Sequence, residues 1–276
     1  MGKALNVVSC RATAPGVAAF AAGTYNSGDS GAVRNAAQGS NIQLIEAWQN
    51  NNAAGFGRIR SPRLHDNVSG IHFVVPASQP QPVLGRPFNQ KLYSQDVLIN
   101  ELEGSAVGGQ IEVQAMLIYY EDLPGCSGVF IDNAFLLDRM VNIVTVQTTQ
   151  AFGATGDYTG QTAINATDDQ LKANTWYAIL GHIVSGRCAL VGVRGPDTGQ
   201  IRFGCPGDVA NPLLTRSWYQ DLSFRYGMPL IPCINAANKG ATFVDGVQDQ
   251  AAGAVTTTTI LAELGGGSLP IPGSGR

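Results

Sequence analysis

The sequence predicts an all-β chain of two tandem β-sandwich domains arising from an internal duplication, with short helices in the connections. Three observations carry this. Runs of β-branched and aromatic residues recur at short intervals between Gly, Pro, Asn and Asp turns. Landmarks of the first half return in the same order in the second. No stretch has the length and 3.6-residue period of a helix beyond about three turns.

The elements follow in chain order. Leu5-Asn6-Val7-Val8-Ser9-Cys10-Arg11-Ala12-Thr13 reads as a strand, and Val141-Asn142-Ile143-Val144-Thr145-Val146-Gln147-Thr148-Thr149 repeats it 136 residues later. A short helix over 30–38 is expected before the strand at 41–48, and one over 167–173 before the strand at 174–180. Thr167-Asp168-Asp169-Gln170 fits a capping box there. Arg60-Ser61-Pro62 and then Ile71-His72-Phe73 recur as Arg194-Gly195-Pro196 and Ile201-Arg202-Phe203, at offsets of 134 and 130 residues. Surface loops tolerate such drift in length. Strong strands close the halves at 115–123 and 256–264. Between them, Pro124-Gly125 starts a turn and 132–140 reads as a short helix capped by Asp132. The expected organisation is a first jelly-roll-like domain at 1–124, a connection at 125–140, a second such domain at 141–264 and a flexible tail at 265–276.

Composition points to assembly. Only 13% of residues are charged, against about 25% in an average domain. An amide- and hydroxyl-rich surface loses fewer hydrated ions when a neighbour covers it. Four lysines (Lys3, Lys91, Lys172, Lys239) accompany thirteen arginines, the bias of interface cores. A net charge of −3 argues against nucleic-acid binding through the whole surface. The first residues lack the apolar run of a signal peptide, and no segment has the length of a membrane span. Cys10, Cys126, Cys188, Cys205 and Cys233 form no Cys-x-x-Cys pair and read as buried free thiols of a reducing compartment, with a Cys188–Cys205 bridge left open.

The chemical motifs are weak. Gly28-Asp29-Ser30-Gly31 spells the nucleophile motif of trypsin-like proteases, but His65, His72 and His182 all follow it, whereas that family's base precedes its serine. A loop is the better reading. No two histidines have metal-ligand spacing, and Glu101/Glu103, Glu121/Asp122 and Asp168/Asp169 cannot be assigned to facing walls of a cleft. No catalytic residue, metal or cofactor is expected. The densest basic cluster is Arg58, Arg60 and Arg63, with Arg58 and Arg60 on one strand face. It is the candidate intersubunit patch, with genome or lipid contact as the alternative; no interleaved aromatics offer base stacking.

Two tandem β domains, low charge, abundant amides and no catalytic constellation together resemble the double-jelly-roll major capsid proteins of tailless icosahedral viruses. The resemblance covers nearly the whole chain as architecture. It implies a virion protein made in the host cytoplasm, a homotrimer whose six jelly rolls form a pseudo-hexagonal capsomer. Its implied partners are neighbouring capsomers and other virion proteins, with an internal membrane or genome beneath and no specific small molecule. The chain lacks the strongly basic or amphipathic N-terminal arm that membrane contact would use. The alternative is a glycan- or receptor-binding spike or fibre module, with Trp48, Trp176 and Trp218 stacking on sugars.

Overall fold

A computed structural model describes residues 2–14, 16, 19–50, 55–64, 68–75, 81–82, 90–103, 111–151, 154–185, 188–207, 215–248, 253–266 and 269. The first half contains β1 (Gly2–Thr13), β2 (Phe20–Ala22), β3 (Thr24–Tyr25), β4 (Ile42–Asn50) and β5 (Gly55–Arg60). It continues with β6 (Ile71–Val75), β7 (Gln81–Pro82), β8 (Gln90–Lys91), β9 (Ile99–Glu103) and β10 (Ile111–Leu123). After β11 (Phe130–Ile131) and α1 (Asn133–Arg139) come β12 (Met140–Ala151), β13 (Thr162–Ala163), β14 (Trp176–Ser185), β15 (Leu190–Arg194) and β16 (Phe203–Cys205). Helix α2 (Trp218–Tyr226), β17 (Ile231–Asn235), β18 (Phe243–Val247) and β19 (Ala254–Leu264) complete the described chain.

Each half folds into two antiparallel sheets. In the first, β3-β1-β10-β4-β7, with β8 also on β4, faces β2-β9-β5-β6. In the second, β12-β19-β14-β17-β11 faces β13-β18-β15-β16. The strands the halves share run in the same order, with β3 added beside β1 in the first and β11 beside β17 in the second, and these shared strands alternate between sheets in the same sequence: a jelly roll, built twice. Every repeated landmark falls on an equivalent strand. The opening motifs lie on β1 and β12, Arg60 and Arg194 end β5 and β15, Phe73 and Phe203 sit on β6 and β16, and the closing motifs lie on β10 and β19.

One difference between the halves positions everything that follows. Strands β1, β4 and β10 are buried on both faces, so they read as near-continuous apolar runs. Their inner face (Ala4, Val8, Leu44, Met116, Ile118, Tyr120) packs on Ile59, Phe73 and Leu98 of the same half. Their outer face (Leu5, Val7, Trp48, Leu117) joins Leu190, Phe203, Trp218 and Tyr219 of the second half in one core. In β12 the buried residues Val146, Thr148 and Gln150 alternate with exposed ones.

Helix α1 is as expected: the Asp132 side chain accepts from Phe135 N at 2.7 Å, capping it. The helices expected at 30–38 and 167–173 do not form. In the first segment the donors go elsewhere, Val33 N to Asp96 O and Ala36 N to the Ser94 hydroxyl. In the second, Lys172 N donates to the Tyr177 hydroxyl and Leu171 N to Asp169. Tertiary partners override local propensity in the first segment, and short-range bonds to side chains replace the helical ladder in the second. The tail at 265–276 is described only at 265–266 and 269, so the flexibility expected of it lies outside the described residues.

Candidate assembly surfaces

The seam between the halves holds the best-defined polar site. Trp48 Nε1 donates to Ala189 O at 2.9 Å, its ring meets Trp218 edge-on at 5.9 Å, and the Tyr226 hydroxyl donates to Ile45 O at 2.5 Å. Beside them Val7 N donates to Arg202 O at 2.8 Å. The Arg202 guanidinium, just before β16, donates from Nη2 and Nε to Asp245 Oδ2 of β18 at 2.9 and 3.0 Å. It lies 3.6 Å from the centroid of the Tyr158 ring and reaches across the seam to Asp29 Oδ1 at 3.5 Å. Asp29 Oδ2 accepts three bonds: Ser9 N at 2.8 Å, Ser9 Oγ at 2.9 Å and Tyr158 Oη at 2.8 Å.

The Gly28-Asp29-Ser30-Gly31 motif is thus a structural loop. Its aspartate is the acceptor that joins the halves, while Ser30 is exposed and its Oγ accepts from Ala32 N at 3.1 Å. His72 is exposed, bonded to Ser69 O at 2.7 Å and edge-on to Phe20. His182 lies fully buried, with Nδ1 3.0 Å from Thr259 Oγ1, and burial pushes its pKa down to about 3, so it is neutral. His65 lies outside the described residues. Among the described residues no three His, Cys, Asp or Glu side chains gather as a metal site. All five cysteines are buried and free, and the Cys188 thiol donates to Leu190 O.

The predicted basic patch divides. Arg58 and Arg60 converge on Glu101 of the neighbouring strand β9: Arg58 Nε to Oε2 at 2.5 Å, Arg60 Nη2 to Oε1 at 2.6 Å. Burial raises the Glu101 pKa, but the two guanidinium groups outweigh it and hold the carboxyl below its ordinary value. Arg58 also lies over the Phe20 ring at 4.2 Å. Arg63 stands apart, exposed, 5.9 Å from the Tyr93 ring centroid.

A second surface was not singled out by sequence. The outer face of β12 carries exposed Val141, Ile143, Thr145, Gln147 and Thr149 without a charge, continued on β19 by Thr258 and Thr256. Thr149 and Thr256 hydroxyls meet at 3.1 Å, and β12 is an edge strand. The sequence marks 141–149 as a strand but does not reveal that Val141 and Ile143 stay exposed on it. Trp48 and Trp218 are buried in the seam and Trp176 is half-buried against Leu264 and Leu269, so none of the three tryptophans considered for sugar stacking stands fully exposed.

No protein-family model matches the chain, and no curated protein matches it in sequence. Among solved structures it is similar to the PBSX exported protein XepA, at 9% identity and a TM-score of 0.22, covering 88% of this chain and 86% of that one. It is also similar to the STIV MCP, at 11% identity and a TM-score of 0.20, covering 98% of each chain. Likeness at these scores carries no argument about this chain.

Proposed function

We propose that this chain is a structural virion protein: the major capsid protein of a tailless icosahedral virus, made in the host cytoplasm and assembled as trimers whose six jelly rolls form a pseudo-hexagonal capsomer. The observation that carries the reading is the pair of identically connected jelly rolls fused side by side on one continuous core. Three such blocks supply six similar walls around an axis, which a single jelly roll or an unrelated pair would not. The low charge and the uncharged β12 face support burial between identical chains. On this reading the chain does no chemistry. Its trypsin-like motif is spent on the seam, and its described histidines are a neutral buried one and a strand-face one.

The test is native mass measurement with imaging of purified protein. A species of three times the 28.9 kDa chain, tiling into shells or sheets, is the expected result. A chain that stays monomeric at high concentration and buries less than about 800 Å² in any contact refutes it.

A further inference from the structure

The contact between the halves has two sides, and each side has a counterpart elsewhere in the chain. A bulge at Ile45 interrupts the pairing of β4 with β10, and one at Leu180 interrupts that of β14 with β19. Matching the bulges sets Leu117 against Ile260. The ladders to β1 and β12 then set Leu5 against Ile143 and Val7 against Thr145. This is two residues from the match that the sequence motif suggests, and a shift of two keeps the same face. Leu5 is covered by the second half and 1% exposed, whereas Ile143 is 55% exposed.

The other side repeats as well. Arg60 and Arg194 end equivalent strands, and the ladders pair Arg58 with Glu101 and Gly192 with Asp245. Glu101 therefore stands where Asp245 stands, and Phe56 where Leu190 stands. Leu190 is 0% exposed, buried against β1, and Phe56 is 45% exposed. In both halves an arginine on this face lies over an aromatic ring, Arg202 over Tyr158 and Arg58 over Phe20. Each half thus carries a socket of one acid, arginine and an aromatic ring on the outer face of its smaller sheet. The chain fills the socket of its second half with its own β1 face; in the first half Phe56 stays 45% exposed at the rim of the socket, above a buried Glu101 and the partly exposed side chains of Arg58 and Arg60.

We propose that the first-half socket, formed by Phe20, Phe56, Arg58, Arg60 and Glu101, receives the outer face of β12 from a second copy of this chain, as the second-half socket receives β1. This rests on the reading that copies of the chain assemble. Charge agrees with it. In the filled socket Arg202 takes a second acid, Asp29, from the loop before β4 across the seam. In the first-half socket two guanidinium groups converge on the Glu101 carboxylate. The corresponding loop of the second half, before β14, carries Asp168, whose carboxylate now takes the Gln170 amide, and Asp169, paired with Lys239. Because plug and socket lie on different halves, the contact is heterologous and propagates head to tail until it closes.

Two exposed positions test this without disturbing the core: Ile143→Arg on the β12 face and Phe56→Glu in the socket. Each variant alone blocks every such contact and should be monomeric by native mass spectrometry, with an unchanged circular dichroism spectrum. An equimolar mixture retains one intact socket and one intact plug, so it should give a dimer with one chain of each kind and nothing larger. If the wild-type chain assembles and either variant alone still does, or the mixture stays monomeric, the socket is refuted and the assembly reading survives. If the wild-type chain is itself monomeric, both fall.

Discussion

Replacing Asp29 by Ala should cost more than any other single change in the exposed loops of the first half. The substitution strips the acceptor from Ser9 N, Ser9 Oγ and Tyr158 Oη and one of the two carboxylates from Arg202. Hydrogen bonds to a charged acceptor are worth about 1.5–3 kcal/mol each, so the gross loss is roughly 5–9 kcal/mol. Two terms reduce it. Burial pushes the Asp29 carboxyl above its ordinary range, so part of that gain already offsets desolvation. Asp29 also lines a cleft of about 400 Å³, through which water can reach the stranded donors. A net loss of about 2–4 kcal/mol remains. Guanidinium unfolding followed by tryptophan fluorescence reads it directly, since Trp48 and Trp218 both lie in the seam. Ser30→Ala, one residue along and exposed, should stay within about 0.5 kcal/mol of wild type. An Asp29→Ala loss under about 1 kcal/mol, or an equal loss for Ser30→Ala, refutes the assignment of Asp29 as the polar joint of the seam.

Three further outcomes are expected. Burial pushes Glu46 from 4.5 up to about 8, against the opposing pull of the Ala47 N–H and the Arg225 charge. The folded chain therefore holds a proton that the unfolded chain releases, and stability falls as pH rises from about 4.5 through about 8, by a few kcal/mol at most. Glu46→Gln should flatten that profile, and identical wild-type and variant unfolding midpoints at pH 5 and 8.5 would count against it. The five thiols should resist a disulfide reagent in the native protein and react together after denaturation, since all are buried and burial pushes Cys10 up to about 12; a thiol that reacts at the rate of a free one contradicts the packing. Trp48→Ala should destabilise by about 3–5 kcal/mol, the range for a large buried aromatic, while Trp176→Ala, at a half-buried site, should cost less; the reverse order in thermal melts would place the seam elsewhere.

The duplication was legible because it rests on order. Arg60-x-Pro and Arg194-x-Pro end equivalent strands whatever the loops between them do. Helix α1 was legible because Asp132 caps it through a local bond. Helix α2 was missed, although its signal was present: Trp218, Tyr219, Leu222 and Ser223 are its buried residues, at helical spacing, and Gly227 ends it with φ 62°. Its aromatics read as strand formers. The expected helices at 30–38 and 167–173 had the opposite fault, acceptable local propensity overruled by a partner far along the chain in the first and by side chains two and five residues away in the second. The link between Asp29 and Arg202 spans 173 residues, which no local pattern encodes. Arg58 and Arg60 were found because period-two spacing puts both on one face, but their shared carboxylate on β9 required the sheet.

The double burial of β1, β4 and β10 also sets a clock on synthesis. The first half is complete at Leu123, but the residues that cover its outer face run from β15 to Tyr226 at the end of α2. Roughly a hundred more residues must be added first, which takes on the order of 5–20 s at ordinary elongation rates. Throughout that interval Leu5, Val7, Trp48 and Leu117 stand open on a finished sheet, beside other nascent chains carrying the same face. A first half released early, by truncation or a stalled ribosome, would keep that face and no partner of its own, so it should be captured by chaperones or aggregate where the full chain does not.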